Sequence, residues 1–463
     1  MDGTSLSQVR MGTRAGRAVI AAATLGSGLT LLDGTVVNVA LRIIGTDLGA
    51  DLAQLQWISN GYLLSLTSLI LLGGSLGDHF GRRRVFLIGT VWFAVASLLC
   101  GLAPTPEALI AARILQGIGG GLLTPGSLAI IQSVFVREDR PPAIGAWSGL
   151  GGIAAAVGPF VGGGILEVAS WRWIFLINLP LALLTVWIAL RYVPETHDPT
   201  ATRHFDIPGA TLTMLALAGL TYGLIEVGSA VALVAGLLGV AAGVAWVRVE
   251  RRAREPMLPL GMFRNRTFSA ANAMTLLVYA ALGAVLFFLV LQLQTVTGYG
   301  PLAAGMATLP ITVCMLLLAS RGGRFSARAG PRIPLTFGPV VMGLGTLWLV
   351  TVDADASYLT TVLPGLTVFG LGLSLTVAPL TATVLAAAPE EHAGLASGVS
   401  NAVARAGSLL AVAALPPLVG LTGEQYADPV ALDAAYTPAI LACSGLLVLG
   451  GAISWVLIPA HVP

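Results

Sequence analysis

The sequence predicts an all-α membrane protein of 14 transmembrane helices, arranged as two six-helix halves with a helix pair inserted between them. Three observations carry that reading. The 463 residues are 56% hydrophobic and only 10% charged, with a mean hydropathy of +0.87, whereas soluble domains are about one quarter charged. Apolar runs of roughly twenty residues recur along the chain, and such a run satisfies its own backbone across a hydrocarbon core only as a helix. Arginines fall in alternate connections between the runs, as expected where one side of a membrane retains positive charge.

The first six runs fall at 18–42, 53–76, 84–103, 106–133, 142–167 and 171–192, within a first half at 1–192. The inserted pair, 193–255, holds runs at 207–227 and 230–249. The second half, 256–463, holds runs at 268–296, 300–320, 333–352, 357–387, 393–421 and 436–458. All 24 basic residues are arginine. The N-terminal stretch carries three, 76–84 three, 134–141 two, 191–206 two, 248–266 six and 321–332 four. The opposite connections carry only Arg42 and Arg172, and Arg113 and Arg405 lie inside runs. Acids gather on that opposite side as Asp47, Asp51, Asp353, Asp355, Glu424, Asp428 and Asp433. The pattern places the chain in the cytoplasmic membrane with both termini in the cytoplasm. The first run outlasts a signal-peptide core and carries Asp33, so it reads as a retained span. The stretch from Arg248 to Arg266, with Glu250, Arg251, Arg252, Arg254, Glu255, Pro256 and Pro259, reads as a strap along the membrane surface, opening the second half.

Composition also excludes chemistries. With no lysine there is no P-loop lysine for ATP-driven transport by this chain alone, and no Schiff base for retinal or pyridoxal. Cys100, Cys314 and Cys443 sit far apart in apolar runs and read as packing residues. The histidines, His79, His197, His204, His392 and His461, fall in loops or at ends, so no metal cluster or catalytic triad is expected. The net charge of +2 comes from arginines at span ends and gives no nucleic-acid signal.

Charged residues inside spans are costly and mark function or a buried network. Asp33 lies about 15 residues into the first span, roughly 22 Å deep, and Arg113 roughly 10 Å from the other side in the fourth. In a core of about 30 Å these depths coincide. The two can pair, or compete with a proton or a cationic substrate, and Gln116 one turn from Arg113 can join them. Glu226 at the outer end of the inserted pair joins the proton-coupling candidates, although interfacial solvation also explains it. Arg405 reads as a snorkelling residue near the cytoplasmic side.

The charged turn Gly74, Gly77, Asp78, Gly81, Arg82, Arg83 and Arg84 reads as a cytoplasmic hinge and gate latch, with a weaker echo from Gly323 to Arg332 that suggests two homologous halves. Gly158, Pro159, Gly162 and Gly163 give a kinked, closely packing helix suited to a rocking interface. Asn38, Trp57, Asn60, Tyr62, Gln292, Gln294 and Asn401 are candidates to line an amphipathic cavity at the midplane.

These stretches together resemble the fourteen-span drug:proton antiporter branch of the major facilitator superfamily, over essentially the whole chain. The 74–84 turn is similar to the signature between the second and third spans. Leu109, Arg113, Gln116, Gly117 and Gly119 are similar to the fourth-span motif linked to proton coupling, and Gly158, Pro159, Gly162 and Gly163 to the antiporter motif, with Ala154 where a glycine is usual. The stretch from Leu32 to Leu41 resembles the first-span motif, Arg42 replacing a proline, and the stretch from Trp171 to Pro180 is the most specific match. Ala327 replaces the acid in the echo turn, implying an asymmetric latch.

The resemblance implies a major facilitator fold and a monomeric exporter, not an enzyme. It would exchange protons for an amphipathic or cationic drug-like compound, with the proton gradient rather than a cofactor as energy source. Its partners would be a small-molecule substrate, protons and the lipid bilayer. A dedicated exporter of one metabolite is the nearest rival; a non-transporting receptor and an intramembrane enzyme are more distant.

Overall fold

The computed structural model describes residues 9–197, 206–253, 256, 258–388 and 393–460. Arg254, Glu255, His204, His392 and His461 lie outside the described residues. Fourteen helices are long and apolar enough to cross a membrane. The first six are α1 (Arg14–Leu48), α2 (Leu52–Phe80), α3 (Arg82–Leu102), α4 (Pro106–Val134), α5 (Arg137–Val168) and α6 (Trp173–Tyr192). Next come α7 (Ile207–Ile225) and α8 (Ala230–Arg252). The last six are α9 (Arg266–Thr295), α10 (Pro301–Ala329), α11 (Arg332–Thr351), α12 (Tyr358–Ala386), α13 (Gly394–Leu418) and α14 (Pro429–Leu457). The expected runs and these helices agree span for span.

The helices begin where a side chain can take up otherwise unpaired backbone donors. Thr13, Thr105, Asp206, Ser229 and Asp428 each accept from a first-turn N–H, and Asp51 forms a reciprocal capping box with Gln54. Two sets of six helices then pack by one scheme. In the first set α4 packs on α2 and α3, and α1 packs on α5 and α6; in the second, α12 packs on α10 and α11, and α9 on α13 and α14. This is the packing of a duplicated unit. The bundle has a basic end, which carries both described termini and most arginines, and an acidic end.

The inserted helices α7 and α8 form a hairpin whose backbones touch through Gly219, Gly223, Gly236 and Gly239, the close approach that small residues permit in lipid. Helix α7 lies against both α2 and α13, covering the seam where the two sets meet. The strap that follows is short among the described residues, with one 3-10 turn at Leu260–Arg264. Glu250 is buried beneath it and accepts from the Leu258 N–H at 3.3 Å.

The two sets meet through hydrogen bonds at the acidic end. Gln56 Nε2 donates to the Val412 carbonyl at 2.7 Å, Gln294 Nε2 to the Val39 carbonyl at 2.8 Å, the Leu52 N–H to Gly423 at 2.9 Å, and the Tyr426 hydroxyl to Ala50 at 2.7 Å. At the basic end the inter-set contact is apolar, Leu71 of α2 lying beside Gly398 of α13.

Candidate functional site

Asp33, the one carboxylate at mid-depth among the described residues, is 1% exposed on α1. An ionised carboxylate in so apolar a place requires compensation, and it receives it on both oxygens. Arg113 Nη1 of α4 forms an ion pair with Oδ2. Gln116 Nε2, one turn along, donates to Oδ1 at 2.8 Å, and Asn178 Nδ2 of α6 donates to the same oxygen at 3.1 Å. Gln116 and Asn178 also reach the Ser97 hydroxyl of α3, at 2.8 and 3.3 Å. Arg113 is held in turn by the Ile58 carbonyl at 3.0 Å and Gln116 Oε1 at 2.5 Å. The Tyr62 ring lies 4.3 Å and the Phe175 ring 5.7 Å from its guanidinium carbon. Five helices of the first set thus converge on one carboxylate, and the matched depths of Asp33 and Arg113 become a direct pair.

Asn178 and Ser97 were not singled out by sequence reasoning. Asn178 stood inside the quoted 171–180 stretch, but a neutral polar residue in an apolar run carries too little signal to be assigned a partner. Glu226 departs from expectation. It caps the C-terminal end of α7 at the acidic end, partly exposed, and takes no part in the Asp33 network. Interfacial solvation satisfies it there.

The hinge is tighter than a loop. Helix α2 ends at Phe80 and α3 begins at Arg82, so Gly81 alone makes the turn, at φ +107°, a conformation open to glycine. Arg82 Nε donates to Asp78 Oδ1 at 2.7 Å, one helical turn back. The unexpected member is Glu195, from the segment after α6. Its carboxylate accepts from the backbone N–H groups of Arg83 at 3.0 Å and Arg84 at 3.1 Å, capping α3, while Arg82 N–H reaches the Thr196 carbonyl at 2.8 Å. Sequence reading passed over Glu195 because a lone acid in a polar connection looks like a solvated charge. Glu195→Ala should lower stability by about 1 kcal/mol, the usual cost of losing a cap, and thermal unfolding in detergent micelles checks it; a wild-type Tm would remove the cap from the account.

Helix α5 is shared between two partners. Gly158 and Gly162 face Thr35 and Val36 of α1, beside Asp33. Gly163 instead faces the backbone of Pro301 and Leu302 on α10, and Gly305 of α10 faces the Pro159 carbonyl. A Cβ on Gly163 would stand 2.6 Å from the Leu302 Cα. Gly163→Leu should therefore pry this seam open at the acidic end. Thiol crosslinking between cysteines placed at positions 166 and 303 should fall severalfold, and unchanged crosslinking would show that the contact yields.

The cavity candidates separate. Tyr62 donates its hydroxyl to the Thr30 carbonyl at 3.2 Å beneath Arg113. Trp57 lies by the insert, its ring 6.1 Å from that of Tyr222 on α7. Gln292 is bound at the acidic end within the second set, to Asp433 at 2.6 Å and the Val352 carbonyl at 2.9 Å, and Gln294 bridges the sets as above. Asn38 is half-buried on α1, and Asn401 is exposed in a cleft with Tyr279, Ser397, Ser400 and Ala404. Asn60 is fully buried on α2, with neither amide atom hydrogen-bonded. Arg405 lies 11 residues into α13 from Gly394 and is half-buried there, with Tyr62 of α2 and Tyr279 of α9 as the ionisable side chains in its electrostatic range. Among the described residues, no group of three or more His, Cys, Asp or Glu is placed to hold a metal.

The sequence profile of the Major Facilitator Superfamily matches residues 23–412. The chain belongs to the major facilitator superfamily. Two relatives show how far the likeness runs. A puromycin resistance protein of Streptomyces alboniger is 34% identical, over 96% of this chain and 91% of its own. A tetracenomycin C resistance and export protein of Streptomyces glaucescens is 35% identical, over 88% and 77%. Among solved structures, a D-xylose-proton symporter superposes with a TM-score of 0.68 over 96% of this chain and 98% of its own, at 15% identity. A POT family transporter in complex with 5-aminolevulinic acid superposes with a TM-score of 0.73 over 97% of each chain, at 15% identity. The superpositions speak for the fold of this major facilitator protein, a multi-pass membrane protein.

Proposed function

We propose that this transporter exports amphipathic, antibiotic-like small molecules across the cytoplasmic membrane in exchange for protons. The observation that carries the reading is the Asp33 network, an acid sealed at mid-depth by Arg113, Gln116 and Asn178. A proton reaching Asp33 neutralises the carboxylate and releases Arg113, which keeps its bonds to the Ile58 carbonyl and the Tyr62 ring. Thr35, half a turn from Asp33, lies against Gly158 of α5, and α5 carries the contact with α10. Neutralisation thus acts on the helix that joins the halves, which is the coupling alternating access requires. The arginine bias puts the basic end and both termini in the cytoplasm. The hydrogen bonds between halves at the acidic end support an inward-facing reading, with a single chain as the working unit.

Named relatives conferring resistance to puromycin or exporting tetracenomycin C support efflux of such compounds. Their naming for single antibiotics favours, as a second reading, a dedicated exporter of one compound. Cells expressing the chain should gain resistance to one or more such antibiotics, and inverted vesicles should accumulate the same compound until a protonophore is added. Accumulation that persists with the protonophore would overturn proton coupling. Resistance across unrelated chemotypes would overturn the dedicated reading.

A further inference from the structure

We propose that Arg405, with the Asn60 amide and the Tyr279 hydroxyl, receives an ionised acidic group, a carboxylate or phenolate, of the transported molecule. The inference deepens the export reading and rests on it. Arg405 lies 11 residues into α13 from Gly394, about 17 Å by helical rise, near the middle of a core of about 30 Å. At that depth a cation is retained only when paired or facing a polar cavity. Arg405 has no hydrogen bond or ion pair among the described residues. The ionisable side chains within its electrostatic range are Tyr62 of the first half and Tyr279 of the second, and positions 398, 405 and 412 share the stripe of α13 that meets α2, so its charge lies toward the junction of the halves.

Asp33 offers it no compensation, because Arg113, Gln116 and Asn178 occupy that carboxylate. Counting Asp33, Arg113 and Arg405, the interior carries one positive charge in excess, and two once Asp33 takes a proton. A cationic ligand would enter against that field, and an anionic one with it.

Asn60 supplies an independent observation. It is 0% exposed, and both amide atoms lack partners. Gln56, one turn away on α2, reaches Val412 of α13, and Leu71, on the same stripe, lies beside Gly398. Asn60 therefore faces α13, and the antiparallel register set by those two contacts places it about one turn from Arg405. Tyr279 and the neighbouring Asn401 line the adjoining cleft, and the Tyr279 hydroxyl has no hydrogen-bond partner among the described residues. A planar guanidinium with an amide donor and a hydroxyl beside it matches an oxyanion. Sequence reading treated Arg405 and Asn60 separately because their approach depends on the register of two helices from opposite halves.

The test uses two xanthene dyes of matched ring size, anionic fluorescein and cationic rhodamine 123, with the full chain in nanodiscs for binding and in proteoliposomes for proton-driven accumulation. Wild type should bind fluorescein. Arg405→Gln should weaken that binding about 10–100-fold, the range for a lost hydrogen bond to a charged group, and Arg405→Lys should keep part of it. Rhodamine 123 should bind no more weakly in either variant. Fluorescein affinity within twofold of wild type in Arg405→Gln, or wild type binding rhodamine 123 alone or neither dye, overturns the proposal. Arg405-dependent fluorescein binding without accumulation of any dye overturns the export reading and keeps this site. Should Arg405→Gln not yield monodisperse protein, Asn60→Leu decides: a loss for fluorescein severalfold larger than for rhodamine 123 supports the site, and equal losses overturn it.

Discussion

Asp33→Asn is expected to abolish proton-driven accumulation while leaving substrate exchange across the membrane in place. The asparagine keeps the shape of the carboxylic acid but cannot lose a proton, so the proton cycle stops while the substrate-loaded carrier can still change face. One proton exchanged against one pH unit is worth about 1.4 kcal/mol, a tenfold accumulation. In proteoliposomes with an imposed gradient of two units, wild type should reach up to about 100-fold accumulation per proton exchanged, and the variant a ratio near one. Counterflow of labelled against unlabelled substrate needs no proton cycle and should persist. Accumulation by the variant at half the wild-type level or more would remove Asp33 from the coupling step.

Arg113→Ala has the larger expected effect on the fold. Removing the arginine leaves Asp33 at 1% exposure with only amide donors, and breaking a buried pair from one side costs about 3–5 kcal/mol. The Tyr62 and Phe175 rings lose their cation at the same time. Yield of monodisperse protein and Tm should both fall. Adding Asp33→Asn to Arg113→Ala replaces the stranded acid with a neutral amide, so the double variant should regain part of the loss. A double variant less stable than Arg113→Ala would show that the cost lies in the packing around residue 113, because a double-mutant cycle isolates the pairwise interaction.

What could be read in advance follows the physics of the bilayer. Span number and order were legible because a hydrocarbon core demands long apolar runs and sorts arginine to one side. Asp33 and Arg113 were legible because a charge at mid-depth is expensive enough to need a reason. Helix faces were not, since lipid is as apolar as a protein interior and leaves little amphipathic stripe to read. Trp57, Gln292 and Asn60 looked alike as polar or aromatic residues in spans. Yet one meets α7, one is bound to Asp433, and one is buried without a partner. Asn178 and Glu195 were hidden for related reasons, one neutral within a span and the other acidic in a connection. Both act on residues far away in sequence, Asp33 and Arg83.

The hairpin laid over α2 and α13 makes the protein's two flanks unequal toward the bilayer. The two halves meet along two lateral seams, α2 with α13 and α5 with α10. Helix α7 shutters the first, so a molecule dissolved in the lipid meets a closed wall there and an uncovered joint on the far flank. The flank left uncovered is the one where Gly163 and Gly305 let two backbones touch. The fourteen-helix plan in this way gives an otherwise two-fold machine a front and a back.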